Sequence, residues 1–209
     1  MRALALICLS VAILAACKTA PAVPAAAELP AGSRVYEIVE ATIASTDGVP
    51  IHYQVEGHGA PTLVFVHGWS CDRGYWAEQV EHFSRDHQVV TLDLAGHGES
   101  GRGRQIWTMA AFGQDVRAVV GTMDLRQVVL IGHSMGGAVI LEAAHAMPGR
   151  VVGLVGVDTF HDVEQRLSPR EIETFMAPWE KDFAAAARGF AHALLPPRPD
   201  PALASRIEA

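Results

Sequence analysis

Two hydrophobic rhythms alternate along the chain. Tyr36 to Ile43 and Val49 to Val55 alternate apolar with polar residues on either side of Asp47-Gly48. That pattern predicts two antiparallel strands joined by a tight turn. Further on the apolar runs are unbroken: Leu63 to Val66, Val89 to Leu92, Val128 to Ile131 and Val151 to Val157. Runs without a polar face suit strands covered on both sides, as in the middle of a parallel sheet. Between them the spacing turns helical, over Tyr75 to Phe83, Met109 to Met123 and Gly136 to Ala146, the last stopped by Pro148-Gly149. Strands alternating with helices predict a mostly parallel sheet with right-handed crossovers and helices on both faces. Two more helical stretches follow, Pro169 to Met176 and Glu180 to Leu194, with no further strand pattern.

The pattern ahead of these elements is different. Arg2 precedes an apolar run from Ala3 to Ala16, shorter than the ~20 residues that span a bilayer, which predicts an export signal. Lys18 to Ser33 is dominated by Ala and Pro; it cannot build a core and reads as an extended tether. The 209 residues therefore carry one domain body, not two. With 16 Lys and Arg against 23 Asp and Glu the net charge is -7, which argues against a nucleic-acid partner. No metal-ligand spacing, phosphate loop or dinucleotide fingerprint is present, so no metal and no cofactor is expected.

The candidate chemistry centres on Gly132-His133-Ser134-Met135-Gly136, a G-x-S-x-G sequence that directly follows the strand Val128 to Ile131 and opens a helix. Such a turn puts its serine in a strained backbone conformation, and side chains at 132 and 136 would collide across it. The Ser134 hydroxyl is then expected above the carboxyl edge of the sheet. There the positive end of the following helix favours developing negative charge.

Upstream, the strand Leu63 to Val66 runs into His67-Gly68-Trp69-Ser70, and Asp93-Leu94-Ala95-Gly96-His97-Gly98-Glu99-Ser100 follows the next strand. With the G-x-S-x-G turn, these stretches resemble the α/β-hydrolase family over Val35 to about Phe160. The resemblance implies Ser134 as nucleophile and an oxyanion hole made by the backbone N–H groups of Trp69 and Met135. His67, Gly68, Gly132, His133 and Gly136 would support the motifs, with Asp93 and His97 fixing their loop. It further implies a small ester-like substrate, hydrolysed through an acyl-Ser134 intermediate. Trp69, Trp76, Phe160 and Trp179 either line an apolar acyl pocket or pack the core and cap. Gly101-Arg102-Gly103-Arg104 reads as a flexible basic loop and nothing more. At the other end, Leu14-Ala15-Ala16-Cys17 resembles the lipobox of bacterial lipoproteins. That implies lipid on Cys17 and a membrane-anchored protein of the cell envelope; the alternative is an ordinary secretory signal with an incidental Cys.

In this family an acid and then a histidine follow the serine, the histidine activating it. Asp158, at the end of the run Val151 to Val157, is either that acid or a residue at the pocket entrance. His145, His161 and His192 follow Ser134, each in a surface or packing context, and His67 and His133 are poorly directed for a base. The expected organisation is residues 1–17 as signal with Cys17, 18–34 as tether, 35–160 as hydrolase core and 161–209 as the start of a helical cap. The chain then reads as a hydrolase truncated after its sixth strand, without its C-terminal histidine, so its own activity stays open. The alternative is a non-catalytic envelope lipoprotein that uses the scaffold for binding.

Overall fold

The computed structural model describes residues 38–159, 166–202 and 205. Six strands form one sheet: β1 (Val39–Ala44), β2 (Pro50–Glu56), β3 (Thr62–Val66), β4 (Val89–Leu92), β5 (Val128–His133) and β6 (Val151–Val157), in the order β1-β2-β4-β3-β5-β6. β1 and β2 pair antiparallel from Val39↔Val55 to Ala44↔Pro50, around the predicted Asp47-Gly48 turn. β2 meets β4 antiparallel, and β4, β3, β5 and β6 run parallel. Every residue of β3 and β4 is buried, as unbroken apolar runs require. β6 departs from that expectation. It lies at the sheet edge, and Val152, Leu154, Val155 and Val157 are exposed although the run is as apolar as the inner ones.

The helices α1 (Ala77–Phe83), α2 (Met109–Thr122) and α3 (Met135–Ala146) cross between the strands. A 3-10 turn, Arg73–Trp76, precedes α1, with the Asp72 carboxylate accepting from the Gly74 N–H at 2.7 Å. Thr108 caps α2 through the Ala111 N–H. On one face of the sheet, Val116, Val119 and Val120 of α2 and Val139, Ile140 and Ala143 of α3 pack with Val64, Val66, Val90, Leu92 and Leu130. On the other, Leu63, Phe65, Val89 and Ile131 pack with Trp76 and Val80. Helices on both faces let the middle strands be apolar throughout.

The segment read as a flexible basic loop is not free. The Arg104 guanidinium is buried against Asp115, itself fully buried, at 2.6 and 3.1 Å, and reaches Asp47 at 2.7 Å. Its plane lies 5.8 Å from the Trp107 ring and 5.4 Å from the Phe112 ring. Asp115 also accepts from the Ser45 hydroxyl and the Ala95 N–H.

Residues 166–202 belong to a second compact unit made of α4 (Pro169–Lys181) and α5 (Phe183–Leu194). Ser168 and Glu171 form a capping box on α4, and Asp182 ends α4 while capping α5 through the Ala185 N–H. α4 runs through Pro178, beyond the Met176 boundary expected from sequence. Trp179 is buried among Phe175, Phe183 and Phe190, at ring distances of 5.8 to 6.2 Å. Among the described residues no helix is long and apolar enough to cross a membrane.

Candidate active site

Ser134 sits between β5 and α3 with φ 52 and ψ -116. A positive φ costs a serine on the order of 1–3 kcal/mol and persists only when its surroundings enforce it. Three hydrogen bonds do so. The Ser134 N–H donates to the Val157 carbonyl at 3.0 Å, and the Ser134 carbonyl accepts from the Gly137 N–H at 2.9 Å and the Thr159 hydroxyl at 2.8 Å. The flanking glycines are needed for packing. A Cβ on Gly132 would overlap the Gly136 carbonyl oxygen, the collision expected across the turn. A Cβ on Gly136 would instead lie 2.5 Å from the Val66 carbonyl oxygen and 2.7 Å from that of His67, so this glycine lets α3 start against the end of β3.

The loop leaving β3 lies beside the serine. A Cβ on Gly68 would fall 2.9 Å from His133 Nδ1 and 3.3 Å from Ser134 Cβ. Trp69 follows on this loop, 39% exposed. Met135 is the first residue of α3, a position whose N–H has no partner within its own helix. The two residues implied for an oxyanion hole are thus the one after Gly68 on that loop and the one after the serine.

His67 holds that loop in place. Its Nδ1–H donates to the Gly68 carbonyl at 2.7 Å, and its Nε2 accepts from the Leu94 N–H at 3.0 Å. Both ring nitrogens are thus used by the backbone, which defines a neutral imidazole. Burial lowers its pKa to about 4. It cannot also take a proton from Ser134. The adjoining loop is fixed by Asp93, fully buried, which accepts from the Arg73 N–H at 2.8 Å, the Arg73 guanidinium and the Glu99 N–H at 3.0 Å. His97 bonds the Ala95 carbonyl at 3.0 Å and faces His67 at 5.0 Å. Asp93 and His97 are loop-fixing residues, as read from sequence; the Arg73 clamp on Asp93 has no local sequence signal.

Asp158 is exposed, with φ 47, immediately after β6. Its neighbours Val157 and Thr159 both bond Ser134, so it stands beside the nucleophile. Its charge acts on the His133 imidazole, opposing the burial that lowers that group's pKa. This position suits either role anticipated for Asp158, acid or pocket entrance. His145 is exposed and eleven residues along α3 from Ser134, about 16 Å at 1.5 Å per residue, too far to act as its base. Trp76 packs in the core against Phe65 at 4.9 Å, so of the two roles anticipated for it the structure shows packing. Trp179 is likewise packed among aromatics. Cys17, Phe160 and His161 lie outside the described residues, and His192 lies on α5, in the other unit. Among the described residues no group of three or more His, Cys, Asp or Glu side chains is placed to hold a metal.

A strained serine between a parallel strand and a helix, a Gly-bearing loop after β3 and the 1-2-4-3-5-6 strand order define the architecture. The chain belongs to the α/β-hydrolase family, whose model, described as alpha/beta hydrolase fold, matches residues 61–205. It is 36% identical over 102 residues to the dihydrolipoyllysine-residue acetyltransferase component of the acetoin cleaving system of Pseudomonas putida, covering 49% of this chain and 28% of that protein. To the non-heme chloroperoxidase of Streptomyces lividans it is 37% identical over 118 residues, covering 54% of this chain and 42% of that one. An esterase from Exiguobacterium antarcticum superposes with a TM-score of 0.71 over 81% of this chain and 66% of its own, at 20% identity, a likeness of fold. The matched stretch spans less than half the length of these two curated relatives.

Proposed function

We propose that this chain is a serine hydrolase that cleaves small carboxylic esters, with Ser134 as nucleophile. The observation that carries the reading is the conformation of Ser134: a φ of 52 held by three backbone-directed bonds, at the start of a helix and against the Gly68 loop. Strain of this kind is retained where it positions a reacting group. In the proposed step, Ser134 Oγ attacks the ester carbonyl carbon while its proton passes to a general base, a role that neither His67 nor His145 fills. The carbonyl oxygen becomes an oxyanion facing the Trp69 and Met135 N–H groups, and the alkoxide leaves with a proton. Water then cleaves the acyl-Ser134 bond, releasing the acid. Each donor of such a hole typically contributes about 3 kcal/mol to the transition state.

The test is hydrolysis of short-chain p-nitrophenyl esters by the purified chain beside Ser134→Ala, with fluorophosphonate labelling of both. The expected outcome is a rate above the variant's, since losing a nucleophile removes the covalent route, with label on Ser134 alone. Equal rates and no label favour the second reading, a binding protein on a hydrolase scaffold.

A further inference from the structure

We propose that Thr159 is a positioning residue that aims the Met135 N–H into the oxyanion hole. The inference rests on Ser134 being the nucleophile and adds a residue to its machinery. The Ser134 carbonyl and the Met135 N–H belong to one peptide group. That group is planar, so whatever fixes the direction of the carbonyl fixes the N–H on its opposite side. The carbonyl accepts from the Gly137 N–H at 2.9 Å and the Thr159 hydroxyl at 2.8 Å. The first bond is local to the turn. The second crosses 25 residues of sequence from the end of β6, so it ties the peptide plane to the sheet.

The neighbourhood is cut to admit this contact. A Cβ on Gly137 would overlap the Thr159 side chain, so the glycine after G-x-S-x-G is what lets the hydroxyl reach the carbonyl. Two residues before Thr159, the Val157 carbonyl accepts from the Ser134 N–H at 3.0 Å. The end of β6 and the residues that follow it therefore grip both ends of Ser134, and the Thr159 bond polarises the peptide whose N–H faces the oxyanion. Removing the hydroxyl leaves the carbonyl with the Gly137 bond alone and the peptide plane free to tilt. A donor that tilts loses strength toward an oxyanion more than toward a ground-state carbonyl, so the effect falls on kcat.

The experiment compares Thr159→Val, which keeps the branched packing against Gly137, with Thr159→Ser, which keeps the hydroxyl. Amide hydrogen exchange on the full chain reads the peptide directly. In Thr159→Val, exchange at Gly137, whose N–H bonds the same carbonyl, rises at least fivefold while Leu92 in β4 is unchanged; in Thr159→Ser it stays within twofold of wild type. On p-nitrophenyl acetate, Thr159→Val lowers kcat about tenfold with KM unchanged, and Thr159→Ser restores it. Unchanged exchange at Gly137 in Thr159→Val overturns the proposal, as does an undiminished kcat. A wild type inert to ester and fluorophosphonate counts against Ser134 as nucleophile, while the exchange comparison still decides the Thr159 contact.

Discussion

His67 shows how one side chain can serve the site without entering the chemistry. Its two nitrogens join the Gly68 carbonyl to the Leu94 N–H, so the loop after β3 and the loop after β4 are fixed to each other through a neutral ring. In the unfolded chain a histidine titrates near 6.5, whereas burial lowers the folded value to about 4. Between those values the unfolded state binds a proton that the folded state refuses. The stabilisation from a neutral His67 is therefore complete above the unfolded value and is lost as pH falls toward the folded one. Linkage puts the loss between pH 7 and pH 5 at about 2 kcal/mol. Urea denaturation of wild type and His67→Gln at both pH values checks it: the wild type should lose that much more than the variant over the interval. Identical pH dependence would mean that His67 is not neutral for the reason given.

At the scale of elements, the strands and the turn around Ser134 were legible because their causes are local. Unbroken apolar runs mark strands of the parallel part, though β6, equally apolar, stands exposed at its edge, and the Gly spacing follows from backbone contacts within a few residues or across β3. Arg104 was not legible, since a basic residue among glycines has the local pattern of a loop. Its partners are Asp47, 57 residues earlier, and Asp115 in α2, and only the fold brings them together. The ion pair joins the β1–β2 turn, the segment after β4 and α2 around one buried guanidinium. The Thr159 contact has no local signal for the same reason, although the third glycine, Gly137, stands beside the motif. Removing Asp115 leaves the buried Arg104 with the partly exposed Asp47 alone and the Ser45 hydroxyl and Ala95 N–H without their acceptor, and each buried donor left unpaired costs about 1–3 kcal/mol. Asp115→Ala should therefore lower stability in urea by about 2–4 kcal/mol, and Asp115→Leu with Arg104→Met should recover only part of it, since Ser45 and Ala95 stay without an acceptor. A loss below about 1 kcal/mol in the single variant would show that water reaches Arg104.

For the whole molecule, the sheet's two edges differ. β1 carries Glu40 and Thr42 along its edge, charge and polarity that discourage pairing with another strand. β6 carries none: Val152, Leu154, Val155 and Val157 are 59, 41, 45 and 40% exposed, and among the described residues no strand pairs with its outer side. An exposed apolar strand with unpaired backbone groups is a template for a second strand. The net charge of -7 opposes association at long range, but it is screened beyond about 8 Å at physiological salt, while strand pairing acts at contact. Contact should prevail, so the purified chain is expected to self-associate with rising concentration. Val152→Lys with Val155→Lys puts a charge on each face of β6 and at the same time makes the chain less acidic. General repulsion would then fall, so a shift to monomer in sedimentation velocity can come only from the edge itself. A wild-type chain that sediments as monomer across the concentration range, or a double variant that associates as the wild type does, would rule out β6 as the surface responsible.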